Sequence, residues 1–190
     1  MHLNLSSMIE TAQFIVKNYC ISGETVVDGT VGNGGDTLFL SKLVGNSGVV
    51  YGFDIQKTAI DTTEALLIKN GINNVTLLCT SHEFIGNVIN KKIGGAMFNL
   101  GYLPGADRSI VTKPESTLSA LRQTFDLLKT GGVVTVVSYR GHQGGDDEFN
   151  VVAEFFRSID EKQIKVTRID HWNSVKKAPV LFAGVKIGDL

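Results

Sequence analysis

The 190-residue sequence predicts an α/β fold, a mostly parallel sheet of seven strands with helices on both faces and a C-terminal antiparallel hairpin. Three observations lead there. Short β-branched runs alternate with helical stripes along nearly the whole chain, as when crossover helices wind a parallel sheet. A glycine cluster separates the first such run from the helix after it, the place where open α/β sheets hold ligands. The last two strand-like segments have no helix between them, so they must pair antiparallel.

Each element has its own signal. Residues 7–19 carry Met8, Ala12, Ile15 and Val16 at helical spacing, with Ser6 or Ser7 as cap. A short buried strand follows at 25–28, then a helix at 36–44 after the glycine turn. The second strand is 49–54, and the helix at 57–70 is stopped by Gly71. Strands are expected at 75–79 and 94–99. A helix at 114–129 has Pro114 in its first turn and Gly131-Gly132 beyond its end. Residues 133–139 are a continuous apolar run of the kind found in central parallel strands. A helix at 146–159 and strands at 163–170 and 180–186 complete the chain. With no repeat, linker or low-complexity segment, residues 1–190 are expected to form one domain.

Composition bounds the function. Apolar residues make up 43% and charged residues 19%, the balance of a globular protein. A net charge of −1 argues against strong non-specific nucleic-acid binding but allows a local basic patch. Cys20 and Cys79 form no Cys-x-x-Cys pair, and His2, His82, His142 and His171 lack metal-ligand spacing, so no metal is expected. Glu10 and Lys17 interrupt the N-terminal apolar pattern, which fits neither a signal peptide nor a membrane span. A cytoplasmic protein with no membrane partner is the expectation.

The glycine cluster reads Asp28-Gly29-Thr30-Val31-Gly32-Asn33-Gly34-Gly35-Asp36-Thr37. A strand ends at an acid, glycines let the backbone pass close to a ligand, and a helix opens with its N–H groups directed back at it. Asp54 lies twenty positions beyond Gly34, at the end of the second strand, where a carboxylate can accept from ribose hydroxyls. An adenosine-containing cofactor follows. Thr37 stands where a dinucleotide fingerprint wants its third glycine, and no Gly-Lys-Ser/Thr of a Walker loop is present. The Asp-x-Thr-x-Gly-x-Gly order resembles the first motif of class I S-adenosylmethionine (SAM) methyltransferases, whose Rossmann-like sheet also ends in an antiparallel hairpin.

After the fourth strand comes Phe98-Asn99-Leu100-Gly101-Tyr102-Leu103-Pro104-Gly105, at the edge of the same crevice. It resembles the Asp/Asn-Pro-Pro-Tyr/Phe loop of amino-directed methyltransferases at its two ends, Asn99 and Tyr102, and departs from it at Leu100 and Gly101. The competing reading makes Asn99 a strand-end cap and Tyr102 a loop anchor. The long polar continuation to Lys113 and a second glycine-rich loop, 138–145, should face the same crevice. There His142 could shuttle a proton, hold phosphate or cap the next helix. Arg108, Lys113 and Arg140 form a candidate positive rim for phosphate contacts.

Taken together, the run Asp28–Leu40, Phe53-Asp54-Ile55-Gln56, Ser81-His82-Glu83, Phe98–Gly105 and Tyr139-Arg140-Gly141-His142 resemble the small bacterial methyltransferases often labelled rRNA methylases and associated with tRNA wobble-uridine modification. The resemblance covers nearly the whole chain. Arg140 and Gln143 beside His142, and the single Pro of Lys177-Ala178-Pro179, depart from the family's pattern. It implies methyl transfer from SAM to the amine of 5-aminomethyl-2-thiouridine in the tRNA anticodon loop, with S-adenosylhomocysteine (SAH) as product. The cofactor set would be Asp28, Thr30, Gly32, Asn33, Gly34, Asp36, Thr37, Asp54, Ile55, Gln56, Ser81, His82, Asn99 and Leu100. Asn99, Tyr102 and His142 would serve the reaction, with Asp36 and Asp107 as further candidates for taking the amine's proton. Arg108, Lys113 and Arg140 would meet RNA, and a homodimer is the assembly considered. Other readings are an rRNA or small-molecule methyltransferase, a non-catalytic nucleotide- or RNA-binding module, and an NAD-dependent oxidoreductase.

Overall fold

The computed structural model describes residues 2–103, 105 and 110–188. Seven strands form one sheet in the order β3-β2-β1-β4-β5-β7-β6. They are β1 (Thr25–Asp28), β2 (Val49–Asp54), β3 (Val75–Cys79), β4 (Ile93–Leu100), β5 (Leu128–Ser138), β6 (Ile164–Ile169) and β7 (Val180–Lys186). The first five run parallel, and β7 pairs antiparallel with both β5 and β6. The predicted architecture is therefore the observed one. Chain order reverses between β1 and β4, so the carboxyl ends of those strands open the crevice in which such sheets hold ligands.

Six helices cover the sheet: α1 (Met8–Tyr19), α2 (Gly35–Val44), α3 (Lys57–Lys69), α4 (Ile85–Val88), α5 (Pro114–Leu127) and α6 (Gly145–Ser158). Alternate side chains of one strand enter two separate cores, as the two-residue strand period requires. Val26 and Val50 pack with Met8, Ala12 and Val16 of α1 and with Leu40 and Val44 of α2. Val27 and Phe53 join Leu121 and Phe125 of α5 and Val152 and Phe156 of α6. Ser7 caps α1 by accepting from the Glu10 N–H at 3.3 Å, resolving the Ser6-or-Ser7 alternative.

Two boundaries differ from expectation by more than one residue. The helix expected to reach Lys129 ends at Leu127, and β5 begins at Leu128 rather than at Val133. Leu128 pairs with Ile93 of β4, and the register shifts between Ile93 and Gly95. Gly131, at φ 80°, belongs to this irregular stretch of strand and not to a helix terminus. The structure also adds a 3₁₀ turn, His82–Phe84, and the short α4 that follows it, where the sequence reading had no element.

Candidate active site

A cavity of about 540 Å³ opens at the carboxyl edge of β1, β2 and β4, within the range of small-molecule and cofactor pockets. Its floor is the turn from β1 to α2. Gly34 there adopts φ 82°, and a Cβ on it would stand 2.7 Å from the Thr63 hydroxyl oxygen, so only glycine fits. Gly29 is constrained by proximity, since a Cβ would lie 2.1 Å from the Phe98 ring. The turn thereby aims the N-terminus of α2, with Gly35 and Asp36, into the cavity.

Asp54 ends β2 beside this turn. One of its oxygens accepts from the Gly32 N–H and the other from the Gln56 N–H, each at 2.9 Å. Each oxygen keeps a lone pair for a further donor. Ile55, 56% exposed, offers an apolar face next to it. Across the cavity Ser81 caps the 3₁₀ turn, accepting from the Glu83 N–H at 3.3 Å. His82 directs Nδ1 at the Gly29 carbonyl, 3.0 Å away, and leaves Nε2 buried without a hydrogen-bond partner. Burial holds its pKa below the ordinary imidazole value.

Asn99, at the end of β4, joins the two halves of the site. Its N–H donates to the Thr30 hydroxyl oxygen at 2.7 Å, and its Nδ2 donates to Asp36. Asp36 also accepts from Gln13 of α1 at 2.7 Å. With the amide held this way, Oδ1 of Asn99 is buried and has no hydrogen-bond partner. Burial raises the Asp36 carboxyl above the usual carboxylate range. Beneath the turn Asp28 accepts from the Thr30 N–H at 3.1 Å and the Thr37 hydroxyl at 2.6 Å. Burial first, then the nearby Asp36 charge, pushes Asp28 up to about 7. The acidic side chains that do line the cavity are Asp36, Asp54 and Glu83.

Thr30, Gly32, Asn33, Asp36, Asp54, Ile55, Gln56, Ser81, His82, Asn99, Leu100, Tyr102 and Lys113 all line this cavity. Asp28, Gly34 and Thr37 do not; they support the wall from behind. His142 also lies off the lining, its ring in an edge contact with Tyr102 at 5.9 Å. Arg140 points away from the cavity, bound to Asp146 at 3.0 Å and stacked 4.3 Å over the Phe149 ring. Arg108 and Asp107 fall outside the described residues.

Sequence reasoning missed Gln13 and a polar clamp behind the loop that follows β4. Buried Glu148 of α6 accepts from Thr112 at 2.6 Å and from Thr117 at 2.7 Å. The Thr112 hydroxyl oxygen also accepts from the Gly101 N–H at 2.9 Å, and the Thr112 N–H donates to the Gly101 carbonyl at 3.0 Å. These bonds return the chain beside its own start, where Tyr102 bridges Val111. Nothing local marks the clamp, because Thr112 and Glu148 are 36 residues apart.

Residues 50–184 match the family model described as "Putative rRNA methylase". The chain belongs to this family. A protein of that same description from Clostridium thermocellum superimposes with a TM-score of 0.94 at 40% identity, covering 98% of this chain and 100% of its own. A "putative methyltransferase" of Streptococcus mutans, solved in complex with SAH, superimposes at 0.88 with 32% identity over 95% of this chain and 98% of its own. The chloroplastic tRNA (mnm(5)s(2)U34)-methyltransferase of Arabidopsis thaliana is 40% identical over 157 residues, 77% of this chain. The match spans little more than half of that relative, 57% of its length. The rRNA methylase family member described here thus has a class I methyltransferase fold. Among its described residues no His, Cys, Asp and Glu group could hold a metal ion, and no helix is long and apolar enough to cross a membrane.

Proposed function

We propose that this chain, acting as one domain, is a SAM-dependent RNA methyltransferase that methylates the amine of 5-aminomethyl-2-thiouridine at the tRNA wobble position. The observation that carries the reading is Asn99, whose Nδ2 donates to Asp36 and whose Oδ1 is left buried without a partner, at a cavity whose other end suits an adenosine. The plant relative's wobble-uridine activity supports the acceptor, and the SAH complex of the streptococcal neighbour supports the cofactor.

The residues present fit SAM. Asp54 has acceptor capacity left for ribose hydroxyls, Ile55 gives a base an apolar face, and the acidic side chains on the lining, Asp36, Asp54 and Glu83, suit an ammonium and a sulfonium. When bound, SAM supplies an electrophilic methyl group. The chain's own task is alignment and exclusion of water. Asn99 Oδ1 accepts an amine N–H, and the Asp36 bond prevents the amide from flipping to present its donor instead. An aliphatic amine has a pKa of about 10 and must lose its proton before its lone pair attacks. Asp36, with its raised pKa, is a better proton acceptor than an exposed carboxylate would be. Tyr102, 36% exposed at the rim, offers its ring to the uracil.

The test uses purified protein and methyl-labelled SAM with tRNA carrying 5-aminomethyl-2-thiouridine and, in parallel, with rRNA. Label should enter the wobble nucleoside as its N-methyl derivative. Label confined to rRNA would replace this reading with the activity named in the family's description, and label in no RNA would reject both.

A further inference from the structure

The turn between β6 and β7 carries the only tryptophan of the chain. Trp172 is 97% exposed, and Val175 on the same turn is fully exposed. Leaving an indole in water forgoes the burial that normally stabilises so large a side chain. The turn is nevertheless well tied down. His171 Nε2 meets the Leu5 carbonyl at 2.7 Å, the Ser174 N–H donates to the His171 carbonyl at 3.0 Å, and the Ala178 N–H donates to the Lys176 carbonyl at 2.7 Å. Trp172 is thus presented on an anchored platform.

Its surroundings are cationic. A cleft of about 160 Å³ is lined by Trp172 together with Arg140, Arg168, Lys176 and Lys177. Asp146 pairs with Arg140 and Lys177, and Asp170 with Arg168. Four cations against two carboxylates leave a positive surplus on a chain whose net charge is −1. Tyr139 lines the main cavity, and Arg140, the next residue in sequence, lines this cleft.

We propose that this turn is a second RNA contact, outside the methyl-transfer cavity. An unpaired base of the same RNA stacks on Trp172, and its flanking phosphates meet Lys176, Lys177 and Arg168. The inference rests on the RNA reading above. An indole stacks on the face of any base, and a cationic groove follows the backbone, which together make the usual sequence-tolerant mode of single-strand recognition. A second copy of the chain is a poorer occupant, because protein interfaces are depleted of charge at their centre and here charge surrounds the ring.

Because Trp172 is the only indole, its fluorescence reports the contact directly. An anticodon stem-loop RNA should quench it saturably, a blunt duplex of equal length should not, and SAH alone should leave it unchanged. Trp172→Ala should raise KM for tRNA about tenfold with kcat within twofold, and Trp172→Phe should recover most of the loss. Lys176→Ala with Lys177→Ala should lower the slope of log KM against log salt by about two. Unchanged KM in these variants and unquenched emission at saturating tRNA would overturn the platform while leaving tRNA methylation standing. If no RNA is methylated, the stem-loop titration still decides, since saturable quenching supports the contact and its absence removes it. Emission that shifts with protein concentration and not with RNA would assign the turn to self-association and overturn the proposal.

Discussion

Asp28 gives the fold a pH dependence opposite to that of most carboxylates. Burial lifts its pKa from 3.8 to about 7, so the folded protein holds a proton that the unfolded chain releases. The stabilisation is complete below the unfolded value and is lost as pH rises through the folded one. For a single site with those two values, the loss between pH 6 and pH 8 is about 1.4 kcal/mol. Asp36, raised by the same cause, acts in the same direction. His82 opposes both: it is buried neutral, and an unfolded imidazole gains protons toward pH 6, worth up to about 0.8 kcal/mol in the other sense.

Total stability therefore mixes the effects, and Asp28→Asn separates them. The variant keeps an oxygen for the Thr30 N–H, and the Thr37 hydroxyl can turn to accept from the new amide, so the turn survives. Urea unfolding of both proteins at pH 6, 7 and 8, at constant ionic strength, gives the two slopes. Wild type should lose about 1.4 kcal/mol relative to the variant between pH 6 and pH 8. Parallel slopes, or a wild type that gains on the variant as pH rises, would refute the claim that burial governs this carboxyl.

Three further outcomes follow from the site. Asp54→Ala removes both cavity-side oxygens and frees the Gly32 and Gln56 N–H groups, so calorimetry should find SAM affinity weakened by roughly 1 to 3 kcal/mol. Asn99→Ala should lower single-turnover methyl transfer by about a hundredfold while SAM affinity stays within a few-fold, as expected for a group that acts on the acceptor; near-normal turnover would leave Asn99 as a strand-end cap. Glu148→Gln cannot accept from both Thr112 and Thr117 as before, so unfolding should show a loss of about 1 to 2 kcal/mol, with a rise in KM for the acceptor as the loop from Gly101 to Thr112 loosens.

The alternation of strands and helices was legible because burial on both faces of a parallel strand leaves a continuous apolar run, as in Val133, Val134, Val136 and Val137. The start of β5 was not, since Leu128 becomes strand only through its partner Ile93. In the site, the glycine turn was readable because its geometry is local, and Asp54 because it ends a strand recognisable from its own residues. Asp28 and Thr37 were read as ligand contacts, yet the structure bonds them to each other behind the wall. An acid before a glycine turn looks the same in sequence whether it faces a ligand or braces the turn. Arg140 shows the same ambiguity, because its position after β5 did not reveal Asp146 and Phe149 as its partners.

On the proposed function, those long-range partners let one edge of a sheet hold two reactants in line. Thr30 and Asn99, 69 residues apart, share a hydrogen bond, and Asp36 and Asn99 share another across 63. The cofactor turn and the acceptor loop are thus one network, and motion of either moves Asn99. A displacement at a methyl group rewards such coupling, because its barrier depends steeply on the distance and angle between nucleophile and leaving group. Glu148 then fixes the far end of the acceptor loop through Thr112. With one end tied to the glycine turn and the other to α6, the described ends of that segment, Gly101–Leu103 and Ile110–Thr112, line the cavity at fixed positions.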